Sequence, residues 1–338
     1  MNELSLSASR PGMELLPTES IRAGSRTSPA SESVRTWLPS LGVRTILVPI
    51  DFSEVSAVIV RRMAEFAERV GAALHILHVV EPSGRLTTEE LMETRVDRQA
   101  RAGAAPSELR QWVEQVLPGH ISVTTTVRVG RAADEIVAQA RVLQVNLIVM
   151  SAHVGQGLKN VLVRTTTERV VRQASCPVLV VAKDKVNDFL QNLDGFPPPS
   201  WKRILLPVDL SSRVPGALAY AAAIAMENSA KLHLLHAVAS DTPTGETLTP
   251  SAVNRLTEWL RTELRWPVES ESTVWTDTPL LHAIMTEAGR SKVDVIVLPT
   301  RDGTWSRRHR LWSVTDGILR HAPCPVLCVN ENANLSGG

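Results

Sequence analysis

The chain repeats itself, and a repeated sequence must fold into two units of one kind. Ile46-Leu-Val-Pro-Ile-Asp-Phe-Ser53 returns as Ile204-Leu-Leu-Pro-Val-Asp-Leu-Ser211. Leu74-His-Ile-Leu-His-Val-Val80 returns as Leu232-His-Leu-Leu-His-Ala-Val238, and Cys176-Pro-Val-Leu-Val-Val181 as Cys324-Pro-Val-Leu-Cys-Val329. The first two blocks recur 158 residues apart and the third 148 apart. The second copy therefore lacks ten residues between its second strand and its fourth, and little else has moved. The repeat divides the chain into a flexible N-terminal arm (1–42), a first domain (43–183), a linker (184–200), a second domain (201–330) and a short tail (331–338). Gly195-Phe-Pro-Pro-Pro-Ser200 makes the linker an extended spacer.

Within each copy, apolar runs alternate with amphipathic stretches. Thr45 to Ile50 is a nearly continuous apolar run, as expected of a strand buried on both faces. Ser53, or Ser56, is placed to cap a helix that Gly71 ends. Ala73–Val80 is a second strand. Glu89–Leu117 is mostly helical, with a break expected near Gly103 to Pro106. Ser122–Val129 is a third strand, Arg131–Leu143 a helix, Asn146–Met150 a fourth strand, Leu158–Gln173 a helix and Val178–Val181 a fifth strand. Strand and helix in alternation predict an α/β fold with a parallel sheet covered on both faces. In such open sheets ligands bind beyond the carboxyl ends of the strands. That places Asp51, Asp209 and the loop after each fourth strand at the candidate sites.

Composition removes several function classes. A net charge of +1 argues against a chain built for nucleic acid or an anionic membrane. No apolar run approaches the length of a membrane span, and residues 1–42 lack the apolar core of a secretory signal. Three cysteines in 338 residues imply no disulfide framework. A cytoplasmic location is the expectation.

The ordered set of blocks, found twice, resembles the universal stress protein family. The endings Glu168-Arg-Val-Val-Arg-Gln-Ala-Ser-Cys-Pro-Val-Leu-Val-Val181 and Asp316-Gly-Ile-Leu-Arg-His-Ala-Pro-Cys-Pro-Val-Leu-Cys-Val329 carry the resemblance as strongly as the first strands. The resemblance implies two tandem open five-stranded parallel sheets, each with strand order 3-2-1-4-5 and helices on both faces. It also implies pairing through strand five, here internal, with Val178–Val181 against Val326–Val329. A homodimer and a protein partner of unknown identity are the other assemblies left open.

Some members of that family bind ATP through the aspartate after strand one and a glycine pattern after strand four. The resemblance then implies contacts from Asp51, Val79, Gly130, Ser151, His153, Gly155, Gly157, Thr165 and Thr166 in the first copy, and from Asp209 and Ser313 in the second. Both copies depart from the glycine pattern. Ser151, Val154 and Arg164 stand at the three glycine positions of the first, followed by Thr165. Pro299, Asp302 and Trp312 stand at those of the second, followed by Ser313. Val154 resists a positive φ, Pro299 offers no N–H, and Asp302 opposes a phosphate by charge. Only the first copy keeps a candidate ATP pocket.

Other features read more plainly than they first suggest. His75 and His78, repeated as His233 and His236, are three apart on a strand and point to opposite faces, so neither pair chelates one ion. Packing or hydrogen bonding is the expected role. Cys324 and Cys328 share a face but lie about 13 Å apart at the rise of a strand, too far for a disulfide. Arg164 with Thr165, Thr166 and Thr167 can be read as a small anion site or as the polar face of a helix, and the second is preferred. Arg307, Arg308 and Arg310 lie between Trp305 and Trp312, a pattern that single-stranded nucleic acid can use. In a chain of near-neutral charge, protein docking or local packing is the better reading. No nucleophile elbow, phosphate-loop lysine or zinc-protease helix is present, and no catalytic centre is expected. A non-catalytic regulatory or protective role in stress adaptation follows from the resemblance, with an adenine-nucleotide switch in the first copy as the alternative.

Overall fold

The computed structural model describes residues 43–81, 103–119, 121–152, 166–182, 201–208, 215–238, 258–259, 262–263, 267–276, 278–301 and 311–330. The arm, linker and tail of the sequence reading lie outside them, as do the proposed helical residues 89–102 and 158–165. In chain order the first half has β1 (Thr45–Ile50), α1 (Glu54–Val70), β2 (Ala73–Val80), α2 (103–116), β3 (Thr124–Val129), α3 (Ala132–Val142), β4 (Leu147–Ala152), α4 (Thr166–Gln173) and β5 (Val178–Ala182). The second has β6 (Arg203–Pro207), α5 (Pro215–Asn228), β7 (Lys231–Val238), β8 (Ser270–Thr276), α6 (Leu280–Arg290), β9 (Val295–Arg301), α7 (Leu311–His321) and β10 (Val326–Asn330). The described helix runs through Pro106, and the residues before Gly103, on which the expected break also depends, lie outside the described ones.

The two five-stranded sheets of the expectation are corrected to one, joined by the expected internal pairing of the fifth strands. The strands form one ten-stranded sheet in the order β3-β2-β1-β4-β5-β10-β9-β6-β7-β8. Each half keeps the order 3-2-1-4-5 with parallel neighbours. The halves join where β5 and β10 run antiparallel, with Val180 opposite Val326, Leu179 opposite Leu327 and Val178 opposite Cys328. The physical reason is the edge itself: two apolar fifth strands would otherwise expose unpaired N–H and C=O groups.

Alternation along the central strands builds two cores. Ile46, Val48 and Ile50 of β1, Leu179 and Val181 of β5, and Leu327 and Val329 of β10 face one side, under α1, α2 and α5. Leu47, Val178, Val180, Val326 and Cys328 face the other, under α3, α4, α6 and α7. A strand buried on both faces needs the continuous apolar run read from its sequence. Across the junction, α4 and α7 carry matching ion pairs, Glu168–Arg172 at 3.4 Å and Asp316–Arg320 at 2.7 Å. Asn330 is buried and donates from Nδ2 to the Ala174 carbonyl at 2.8 Å, a polar tie from one half to the other.

Pairing register locates the missing ten residues. Val80 pairs with Val129 and Val238 with Thr276, so the stretch from second to third strand is 49 residues in the first half and 38 in the second. Ile46 pairs with Leu147 and Ile204 with Val295, so the stretch from third to fourth strand is 18 and then 19 residues. Eleven residues are lost before β8 and one is gained after it.

Candidate functional site

The carboxyl edge of the first half begins where β1 ends. Asp51 is exposed and follows Ile50 directly, and its Oδ1 is held by three donors. Ser53 Oγ and Ser56 Oγ each donate to it at 2.6 Å, and the Ser53 N–H donates at 3.1 Å. Ser53 is the N-cap of α1, and its hydroxyl oxygen accepts from the Ser56 N–H at 3.2 Å. The aspartate thus locks the first turn of α1, with its negative charge at the positive end of the helix. At the other end Gly71 closes α1 with φ of 70°, a left-handed conformation that favours glycine.

Between Asp51 and Ser53 the chain takes an unusual path. Phe52 has φ of 61°, a conformation that costs a residue with a Cβ about 1–2 kcal/mol. Its ring is the compensation. It lies 4.3 Å from the ring of His78 and meets Trp112 of α2 edge-on at 5.8 Å. His78 Nδ1 in turn lies 3.2 Å from the Ile50 carbonyl, and His236 Nδ1 lies 3.0 Å from the Val208 carbonyl in the second half. The repeated histidines fasten the end of the second strand to the residue that precedes each aspartate. The other pair, His75 and His233, sits nearer the start of its strand, and burial pushes both below the usual imidazole range.

The remaining sequence candidates fall as follows. Val79 is half-buried near the end of β2, opposite Arg128 of β3. Gly130 follows β3 and donates its N–H to the Val80 carbonyl at 3.1 Å. A Cβ on Gly130 would lie 2.6 Å from Glu135 Oε1, so the glycine serves the close approach of that side chain. Ser151 is buried in β4, and its carbonyl accepts from Thr167 Oγ1 at 3.1 Å, which ties the start of α4 to the strand end. Thr166 is the first residue of α4. Asp51, Val79, Gly130, Ser151 and Thr166 therefore share the carboxyl edge of the first half. His153, Gly155, Gly157 and Thr165 lie outside the described residues, as does Asp209. So do Val154 and Arg164, and the Trp305–Arg310 segment. Ser313 lies in α7, and Pro299 pairs with Val329 within the sheet.

Several residues that hold the strand ends were not singled out from the sequence. Glu81, just past β2, accepts from the Ala132 N–H at 2.6 Å and so supplies α3 with the cap that Arg131 does not. Trp112 is the partner of Phe52, and its signal was available: Leu109-Arg-Gln-Trp112 returns as Leu256-Thr-Glu-Trp259, 147 residues on, the same offset that relates β3 to β8. Asn146 Oδ1 accepts from the N–H groups of Arg44 and Thr45, and Asp294 Oδ2 from those of Lys202 and Arg203, which clasps the start of each first strand.

The hydroxyls of Ser53 and Ser56 donate to a carboxylate, with no imidazole between them. Among the described residues no three histidine, cysteine or acidic side chains are grouped to hold a metal ion. Cys176, Cys324 and Cys328 are buried free thiols. Burial pushes Cys176 up to about 12 and the other two higher still, so none is a thiolate nucleophile at neutral pH.

Fold and edge define the class: a duplicated, doubly wound α/β protein closed through its fifth strands, with the described first-half candidate residues gathered at the carboxyl ends of the strands. The profile of the universal stress protein family matches residues 42–182 and 200–330, and the chain belongs to that family as a tandem member. A universal stress protein of Methanocaldococcus jannaschii is 30% identical over 145 residues, 42% of this chain and 84% of that one. The crystal structure of a universal stress protein from Archaeoglobus fulgidus covers 86% of this chain and 97% of its own, with a TM-score of 0.58 at 18% identity, a likeness of fold. A universal stress protein solved in complex with cAMP is 22% identical over 41% of this chain and 96% of its own, with a TM-score of 0.30. No described helix is long and apolar enough to cross a membrane.

Proposed function

We propose that this chain is a cytoplasmic, non-catalytic regulatory or protective protein of stress adaptation that does not use ATP. The observation that carries the proposal is the engagement of Asp51. Its Oδ1 already accepts three hydrogen bonds from the first turn of α1, so a nucleotide would compete with a helix cap. Val154 and Arg164 at the glycine positions of the first copy, and Pro299 and Trp312 at those of the second, support the same reading. The first half supplies the better-kept edge, and the second acts as its structural partner.

A second reading keeps ATP or another adenine nucleotide in the first half as a switch. It is favoured by the arrival of Asp51, Val79, Gly130, Ser151 and Thr166 at one edge, and by the nucleotide chemistry known in the family. The experiment that separates the two is a thermal-shift titration with magnesium and ATP, run beside an assay of nucleotide released on heating protein purified from its own host. The proposal expects no released nucleotide and no shift at millimolar ATP. A saturable shift that disappears in Asp51→Ala would replace it with the switch.

A further inference from the structure

Gln139 of α3 and Glu287 of α6 occupy matching places in the two halves, and the exchange of an amide for a carboxylate changes everything around it. In the first half Arg128 of β3 donates to Gln139 Oε1 at 3.1 Å from Nε and 2.8 Å from Nη2. There His75 stands opposite Thr124. In the second half Trp275 takes the place of Arg128 and Glu271 that of Thr124. Glu287 is 0% exposed and accepts from Trp275 Nε1 at 3.0 Å, Ser291 Oγ at 2.6 Å and Arg290 Nη2 at 3.0 Å. His233 is buried between two carboxylates. Its Nε2 lies 2.8 Å from Thr273 Oγ1 and 3.7 Å from Glu287 Oε1. Its Nδ1 lies 3.3 Å from Glu271 Oε1 but has no partner in hydrogen-bonding geometry. The charged groups facing this imidazole are Lys231 from β7, Glu271 from β8, and Glu287 and Arg290 from α6.

We propose that the His233–Glu271–Glu287 cluster is an acid-sensitive latch, one that holds β8 and α6 to β7 at neutral pH and loosens that edge of the second half on mild acidification, while β3 and α3 stay in place. This goes beyond the functional proposal and does not rest on it. Burial disfavours the charged imidazole and dominates at His233. The two carboxylates pull the other way, while Arg290 and Lys231 add to the depression. At Glu287 burial alone would raise the carboxyl. The Ser291 and Trp275 donors, His233 and Arg290 outweigh it and hold the group below the usual range. Both folded values are thus depressed. Such groups stabilise the closed form above their ordinary values, 6.5 for the imidazole and 4.5 for the carboxyl, and that stabilisation is lost as pH falls through the lowered ones. Histidine titrates first, because an opened edge takes up a proton that the closed edge resists. In the first half His75 is also depressed by burial, but it is only half-buried, and neither Thr124 nor Gln139 titrates.

Native-state hydrogen exchange of the full chain at pH 7.5 and 5.5, corrected for intrinsic rates, tests the latch. Protection of β8 and α6 amides should fall between the two pH values, because the opened edge binds a proton that the closed edge resists. Protection of β3 and α3 should fall by less. The difference should vanish in His233→Gln. Equal losses in the two halves, or an undiminished difference in His233→Gln, would overturn the proposal. Should that variant not fold, the imidazole titration of the unaltered chain followed by NMR decides the matter. A midpoint below 6.5 is expected, moving lower still in Glu287→Gln because a carboxylate that favours the imidazolium is gone; a midpoint at or above 6.5 refutes the latch.

Discussion

The middle of the sheet and its two ends have diverged to different degrees. At the junction, Cys176-Pro-Val-Leu-Val-Val181 and Cys324-Pro-Val-Leu-Cys-Val329 differ at one position, and Glu168–Arg172 is answered by Asp316–Arg320. At the ends, Arg128–Gln139 faces Trp275–Glu287, a cation on an amide against an indole on a carboxylate. Each fifth strand must fit its own core and its twin at once, so a change on one side needs an answer on the other. Among the described residues the outer strands β3 and β8 have no such partner. Their polar contacts are private to each half and free to differ.

Breaking the junction should cost most. Leu179 is 1% exposed opposite Leu327, and Leu179→Ala should destabilise the chain by about 2–5 kcal/mol in urea unfolding. The loss should register in both halves together, since they share the sheet. Next come the ends. Glu287→Ala strands the donors of Trp275 and Ser291 and should cost about 1–3 kcal/mol. Gln139→Ala should cost less, because Arg128 lies at a partly exposed edge where water can replace its partner. If Gln139→Ala proved the costlier of the two, the contrast between the ends would be reversed.

Smaller effects sharpen the comparison at the strand starts and at the cap. Asp51→Ala removes the acceptor of three hydrogen bonds at the α1 cap and should lower stability by roughly 1 kcal/mol, measured by thermal unfolding. Asn146→Ala and Asp294→Ala should each cost on the order of 1 kcal/mol, the second somewhat more, as hydrogen bonds to a carboxylate are stronger than those to an amide. The exposed pair Arg62–Glu65 should give no more than about 0.5 kcal/mol in a double-mutant cycle.

Much of the fold was legible because the repeat doubled every signal. The β2 and α1 limits, the Ser53 cap and the Gly71 stop follow from local patterns that no distant contact overrides. The single ten-stranded sheet was less legible. Val178–Val181 and Val326–Val329 say that two apolar edges exist and should meet, but an apolar run does not state whether its hydrogen bonds continue across. At the site, Asp51 was readable as a residue of interest through its place after the first strand. Geometry was needed to see Ser53 and Ser56 close on it. Phe52 was illegible, since a phenylalanine at φ of 61° follows from its contacts with His78 and Trp112 and from nothing in its own propensity. The Glu287 cluster was equally hidden, because it joins residues of β7, β8 and α6 that only the fold brings together.

The most direct test of a duplicated protein sealed through its fifth strands is the order in which its strands open at neutral pH. Amides of β5 and β10 should exchange only by global unfolding, and those of β3 and β8 earlier by local opening. Exchange of β5 and β10 as fast as the outer strands would mean that the two halves do not share one sheet.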